Sequence, residues 1–184
     1  LDAQLPSLQA EGTYPGDNKR YSVSQYDSGL GLWGNKELLT AAGVTEIPTT
    51  IDTAWSAQQF YDVVAKLAAK DKGGKGLDIK ENYAGTWPGY AFTPIVNGAG
   101  FPLVNDGSAN GNLNNPKVAT TFTEFAKMRA LTDPNTDDKA FTGKRVGLSW
   151  CGHWCYPDYS KAIGENLVLI PLPNFGIGTK SGQG

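Results

Sequence analysis

Two kinds of apolar pattern alternate along the 184 residues, and that alternation narrows the fold more than any other feature of the sequence. Phe60, Val63, Val64, Leu67 and Ala68 recur at steps of three and four, the spacing that lines one face of an α-helix. The spacing predicts a helix over 54–70, with Lys66, Lys70 and Lys72 near its C-terminal end, where cations complement the helix dipole. Val118, Phe122, Phe125, Ala126 and Arg129 repeat the pattern. This second helix opens at Pro116 behind Asn115 as N-cap, runs to about 131 and is stopped by Asp133-Pro134. Residues 146–150 and 167–172 are short, mainly apolar runs and read as buried strands. Helices alternating with short apolar strands specify an α/β chain with a parallel or mixed sheet. Sheets of this kind take ligands outside the carboxyl ends of their strands, which directs attention to the loops after Trp150 and around Trp87.

Weaker signals fill in the rest. Residues 21–25 alternate large and small side chains and are expected to be extended, and 29–33 read as a further strand. A short helix is expected over 35–42, capped by Asn35 and ended by Gly43. Extended chain is expected over 82–88, a helix from 89 to 97 despite Pro94, a strand over 101–104 and a loop over 105–111. A helical turn is expected over 137–142, a helix over 157–163 and a glycine-rich tail from 176. Residues 1–20 are irregular, with only Leu1, Leu5 and Leu8 hinting at a helix.

Sixteen basic and 18 acidic side chains give a formal net charge of -2, so there is no basic excess to displace phosphate counterions and no nucleic-acid partner is expected. Five tryptophans within an 11% aromatic content argue for a packed chain. No run of ~18 apolar residues is present to span a bilayer as a helix. Leu1-Asp2-Ala3-Gln4 shows neither the basic region nor the apolar run of a signal peptide, and no Met precedes it. The chain therefore reads as a processed protein or an excised piece.

Ser149-Trp150-Cys151-Gly152-His153-Trp154-Cys155-Tyr156 holds both cysteines and the single histidine. Four readings stand side by side. Cys151, His153 and Cys155 supply three zinc-ligand types, but the separated second ligand pair of most zinc sites is missing. A Cys nucleophile with His153 as base lacks an orienting Asp or Asn. A small-loop disulfide between Cys151 and Cys155 fits the even count, with Gly152 permitting a tight turn. Two unpaired structural thiols are the fourth reading. Other catalytic signatures are absent: there is no G-x-S-x-G, H-E-x-x-H, Walker loop or dinucleotide fingerprint, so neither an enzyme nor a cofactor is expected.

Trp33, Trp55 and Trp150 fall where core is expected, whereas Trp87, Tyr90 and Trp154 fall near element ends. Sugar rings pack their C–H faces on aromatic faces and direct their hydroxyls at planar polar groups, for which Asp27, Asn82, Thr86, Asn97, Asp106 and Asp158 are available. A carboxylate pair such as Asp106 and Asp158 across a cleft would suit a hydrolase instead.

The order of these features resembles a known family. Tyr21-Ser22-Val23, then Gly29-Leu30-Gly31-Leu32-Trp33-Gly34-Asn35-Lys36-Glu37-Leu38-Leu39 and Ala42-Gly43, is similar to the lobe crossover of extracellular solute-binding proteins of ABC transporters, in the maltose-binding-protein branch. Ser24 stands where proline is common and Gly34 where tyrosine is common. The likeness continues through Pro48-Thr49-Thr50, Trp55 and the 54–70 helix, through Trp87, Tyr90, Pro94 and Asn97-Gly98-Ala99-Gly100, and through Ala140-Phe141-Thr142-Gly143-Lys144. It ends with the glycine-x-tryptophan turn Gly152-His153-Trp154 and the strand leading to Pro173, covering about 18–178.

The resemblance implies a type II periplasmic-binding-protein lobe, an α/β unit with a mixed sheet flanked by helices. Residues 1–27 would be a first-lobe remnant and hinge crossover, and 28–184 an incomplete second ligand-binding lobe without its return segments. It implies a monomer that binds a sugar, oligosaccharide or related polyol by two-lobe closure and delivers it to ABC permease membrane subunits, outside the cell or in the periplasm, with lipid anchoring of the parent left open. Carried over residue by residue, Tyr90 and Trp154 match the sugar-stacking aromatics, with Trp87, Asp27, Asn82 and His153 as neighbouring candidates. The alternative is a fragment of a secreted carbohydrate-active hydrolase.

Overall fold

A computed structural model describes residues 4–101, 103–104, 108–112 and 114–180. The chain opens with α1 (Pro6–Glu11) and a small antiparallel hairpin, β1 (Thr13–Tyr14) and β2 (Lys19–Arg20), which stand outside the main sheet. Residues 21–29 form no regular structure. The strand expected over 21–25 is not formed: Tyr21, Val23 and Tyr26 are exposed, so the large–small alternation has no buried face to serve.

Next come β3 (Leu30–Asn35), α2 (Lys36–Ala41), α3 (Ala57–Lys70), β4 (Leu77–Asp78), α4 (Trp87–Gly98) and α5 (Pro116–Lys127). They are followed by β5 (Thr132–Asp133), β6 (Leu148–Gly152), α6 (Tyr156–Ile163) and β7 (Leu167–Ile170). The five-stranded sheet has the order β5-β4-β6-β3-β7. β4 runs parallel to β5 and β6, whereas β3 runs antiparallel to β6 and β7, so the sheet is mixed, as expected.

Side-chain caps set where the helices begin. Asn35 ends β3 and caps α2, its Oδ1 accepting the backbone N–H of Glu37 at 3.0 Å. Ser56 and Gln59 form a reciprocal capping box, so α3 starts at Ala57 rather than 54. α4 starts at Trp87, not 89, because Pro88 fits the first turn of a helix, where its missing N–H is no loss. The extended chain expected over 82–88 is not formed: residues 82, 85 and 86 lie in turns, with Gly85 at φ 71, and Trp87 already opens α4.

The described residues of 101–104 form no strand, and 137–142 form turns rather than a helix. Residues 105–107 of the expected loop lie outside the described residues, as do 181–184 of the tail. β7 was expected to be buried but is an edge strand, with Leu169 54% exposed while Ile170 faces the core.

The core lies on both faces of the sheet: α3 and α4 cover the face of Trp150, and α6 covers that of Trp33, whose ring lies 5.9 Å from Tyr159. Trp33, Trp55 and Trp150 are buried, and each indole N–H has an acceptor: Gly152 O at 3.1 Å, Glu46 O at 3.3 Å and Ala91 O at 3.0 Å respectively. Phe60 of α3 packs 6.1 Å from the Trp150 ring. β4 approaches α3 closely because Gly76 carries no Cβ; one there would run into the Val64 carbonyl, 2.5 Å away.

Candidate functional site

Trp154 sits on the turn of 3-10 helix that joins β6 to α6, and it is 40% exposed. Its indole folds directly over Gly152, where a Cβ would overlap the ring. The glycine two residues before the tryptophan is thus a steric requirement of the site. Trp87 and Tyr90 come from the first turn of α4; Trp87 is buried and donates its indole N–H to Ile79 O at 3.3 Å.

The rings meet in a continuous cluster. Centroids of Trp87 and Trp154 are 6.1 Å apart at 80°, those of Trp87 and Tyr90 5.9 Å apart, and those of Tyr83 and Trp87 5.0 Å apart. Tyr90 and Trp154 lie 6.3 Å apart with planes tilted by 34°. A guest ring between them would need ~3.5–4.0 Å on each side, so the two form one platform rather than a slot. The Tyr90 hydroxyl donates to the Ser28 carbonyl and fixes the ring to the segment that enters β3. Burial pushes the Tyr90 phenol up, and the Asp27 charge adds to it.

The remaining expected residues are more dispersed. His153 is exposed, with its ring 5.9 Å from Trp154, and its backbone N–H donates to Gly29 O at 3.2 Å. Asp27 accepts from the Ser7 hydroxyl at 2.9 Å. Asn82 is exposed and accepts from Asn135 Nδ2 at 3.4 Å, facing the loop beyond β5. Asp106, weighed with Asp158 as a hydrolytic pair, lies outside the described residues.

The expected disulfide is not formed. Cys151 and Cys155 are free, buried thiols with their sulfurs in hydrogen-bonded contact. Cys151 lies on buried β6 and Cys155 at the start of α6, so both fill core space as small apolar side chains. The bond to Cys155, together with burial, pushes the Cys151 thiol up, and the same bond holds Cys155 down. Among the described residues, no group of three or more His, Cys, Asp or Glu is placed to hold a metal ion.

Sequence reasoning missed the charged floor of the cleft that Trp154 lines. A cleft of about 630 Å³ opens at the carboxyl ends of the parallel strands β4 and β6, with Lys80, Tyr83, Asp138, Trp154, Asp158 and Tyr159 in its lining. Lys80 is 1% exposed, and its Nζ lies 3.0 Å from Asp78 Oδ2 and 2.7 Å from Asp138 Oδ1. Asp78 is also buried; it accepts from the Lys80 backbone N–H at 2.8 Å, from Asn135 Nδ2 at 3.0 Å and from the Ser149 hydroxyl at 3.2 Å.

Burial works against the Lys80 charge, but the two carboxylates outweigh it and hold the ammonium above its ordinary value. Burial pushes the Asp78 carboxyl up, with Lys80 and Ser149 pulling against it. Tyr83 is pushed up to about 12, chiefly by burial, and burial also raises Tyr159. The sequence signals for this floor are Leu77-Asp78-Ile79-Lys80, two charges alternating with two aliphatics, and the adjacent aspartates Asp137-Asp138.

Solved structures share this architecture. The GacH receptor of Streptomyces glaucescens, determined unliganded and with acarbose and an acarbose homolog, matches with a TM-score of 0.71 at 24% identity, over 99% of this chain and 46% of that one. The cyclic alpha-maltosyl-1,6-maltose binding protein of Arthrobacter globiformis matches with a TM-score of 0.70 at 19% identity, over 97% and 46%. Maltose-bound T. maritima MalE3 matches with a TM-score of 0.72 at 14% identity, over 97% and 47%. The chain has the fold of a type II periplasmic-binding-protein lobe. It spans about half the length of these structures. No protein-family model and no curated protein matches the chain.

Proposed function

We propose that this chain is a carbohydrate-binding lobe of an ABC-transporter substrate-binding protein, extracellular or periplasmic, with the Tyr90–Trp154 platform as its stacking surface. The observation that carries the reading is the platform itself: aromatic rings from the first turn of α4 and from the turn after β6 share one accessible face at the carboxyl end of the sheet, with Trp154 40% exposed. The proteins of like fold support it, since the named structures hold acarbose and maltose or are described as binding a cyclic maltosyl-maltose.

In this reading a second lobe closes over the guest by a hinge near 25–28, and the closed form is presented to a membrane permease. Closure divides the contacts between two lobes, so this chain alone binds sugar weakly. Asp27, His153 and Asn82 are the more distant candidates for hydroxyl contacts.

The test is a sugar titration of the 15N-labelled chain, following the indole N–H resonances. Maltose at millimolar concentration is expected to shift the Trp87 and Trp154 signals in a saturable way. Trp154→Ala, followed through Trp87, is expected to weaken binding by about 1–3 kcal/mol, a hot-spot-sized loss. Unchanged affinity in that variant removes Trp154 from the site, and calorimetric binding in the sub-micromolar range refutes the division of contacts between lobes.

A further inference from the structure

The cleft that Trp154 shares with Lys80 and Asp138 holds an ion triad whose hydrogen-bonding capacity is not fully used. The Lys80 ammonium carries three N–H donors; Asp78 and Asp138 take two, and no oxygen of a described residue takes the third. The nitrogen sits 5.8 Å from the Tyr83 ring centroid and 5.5 Å from that of Tyr159, so the charge is held between two aromatic faces at the floor of the cleft. Asp138 gives one oxygen to Lys80; the other has no partner among the described residues, and the side chain is 51% exposed. Lys80 and Asp138 both hold left-handed backbone at φ 56, uncommon without glycine and typical of sites where a ligand clamp is built. Buried ion pairs seldom stabilise more than apolar residues of equal volume, so what this triad contributes is a fixed position for one donor and one acceptor.

We infer that Lys80 and Asp138 are the hydroxyl-binding pair of this cleft, and that its ligand is an uncharged polyhydroxyl compound. Asp138 accepts from one hydroxyl of a diol, Lys80 donates to the neighbouring one, and the ring face rests on Trp154, which lines the same cleft. The inference deepens the carbohydrate reading and rests on it. Anionic sugars are disfavoured because the one buried ammonium is already matched by two carboxylates, while Lys139 and Lys161, the other lysines of the lining, are solvent-exposed.

The experiment titrates the labelled chain with maltose, cellobiose and galactose, and separately with glucose 1-phosphate, reading the Trp154 indole resonance. At least one neutral sugar is expected to bind the unmodified chain more tightly than glucose 1-phosphate. Asp138→Ala is expected to weaken that neutral sugar roughly tenfold, as for loss of a charged hydrogen bond, and to strengthen glucose 1-phosphate. Structural damage would weaken both, so the opposed movement separates a binding role from a packing role. Lys80→Met is expected to lose neutral-sugar binding and Lys80→Arg to recover part of it. Should Lys80→Met fail to fold, Asp138→Ala decides, because that side chain is half exposed on a loop.

If both variants bind neutral sugar as the unmodified chain does, or if the unmodified chain prefers glucose 1-phosphate, the pair is wrong and the carbohydrate reading survives. If no sugar, neutral or anionic, moves the Trp154 resonance at any concentration, the carbohydrate reading itself fails and takes the pair with it.

Discussion

Trp154 is only as well placed as Gly152 allows. Its ring occupies the volume a Cβ on Gly152 would need, so Gly152→Ala must push the indole off the platform. The expected result is a Trp154 indole resonance moved toward a solvent-like position and sugar affinity reduced to the level of Trp154→Ala; an unmoved resonance would contradict the steric argument. At this scale the sequence was legible where chemistry is local. The glycine-x-tryptophan turn and the tyrosine one helical turn after Trp87 mark themselves. Lys80 does not, because its second carboxylate partner is Asp138, 58 residues further along, and no periodicity announces an ion pair made by two loops. The cysteines show the converse: their count and spacing suited a disulfide, whereas the fold uses both as buried thiols.

Caps and strand length decide how much of each element could be read in advance. α3 and α5 were legible because several apolar side chains repeat on one face, and Asn35 and Asn115 were legible as caps. β4 and β5 were not, since two residues are too few to carry a period. Their existence depends on the flanking packing, as Gly76 illustrates. Gly76→Ala is expected to cost about 1–3 kcal/mol in urea unfolding, because the methyl group meets the Val64 backbone carbonyl and not a yielding side chain. Ser56→Ala, which opens the capping box of α3, is expected to cost about 1 kcal/mol by the same measurement. A Gly76 substitution no costlier than the Ser56 one would mean that β4 does not depend on close contact with α3.

The mixed sheet gathers loops from distant parts of the chain around one cleft, so several groups on its floor share a single response to pH. Tyr83 is held protonated up to about 12 against an ordinary 10.0, and Tyr159 is raised as well, both chiefly by burial. Lys80 is raised from its ordinary 10.5 by its two carboxylates. Each of these groups keeps its proton more firmly when folded than when unfolded. Between pH 10 and about 12 the unfolded chain has therefore released protons that the folded chain retains, and stability must fall as pH rises. The thiols contribute with opposite signs, Cys151 being raised and Cys155 lowered, and Cys155 acts below this window. Urea midpoints are expected to drop steadily as pH rises above 10, with a shallower drop in Tyr83→Phe, which keeps the ring and removes the titrating hydroxyl. Identical profiles for the two proteins would show that Tyr83 is not held in the cleft floor, and the platform that leans on it through Trp87 would lose its support.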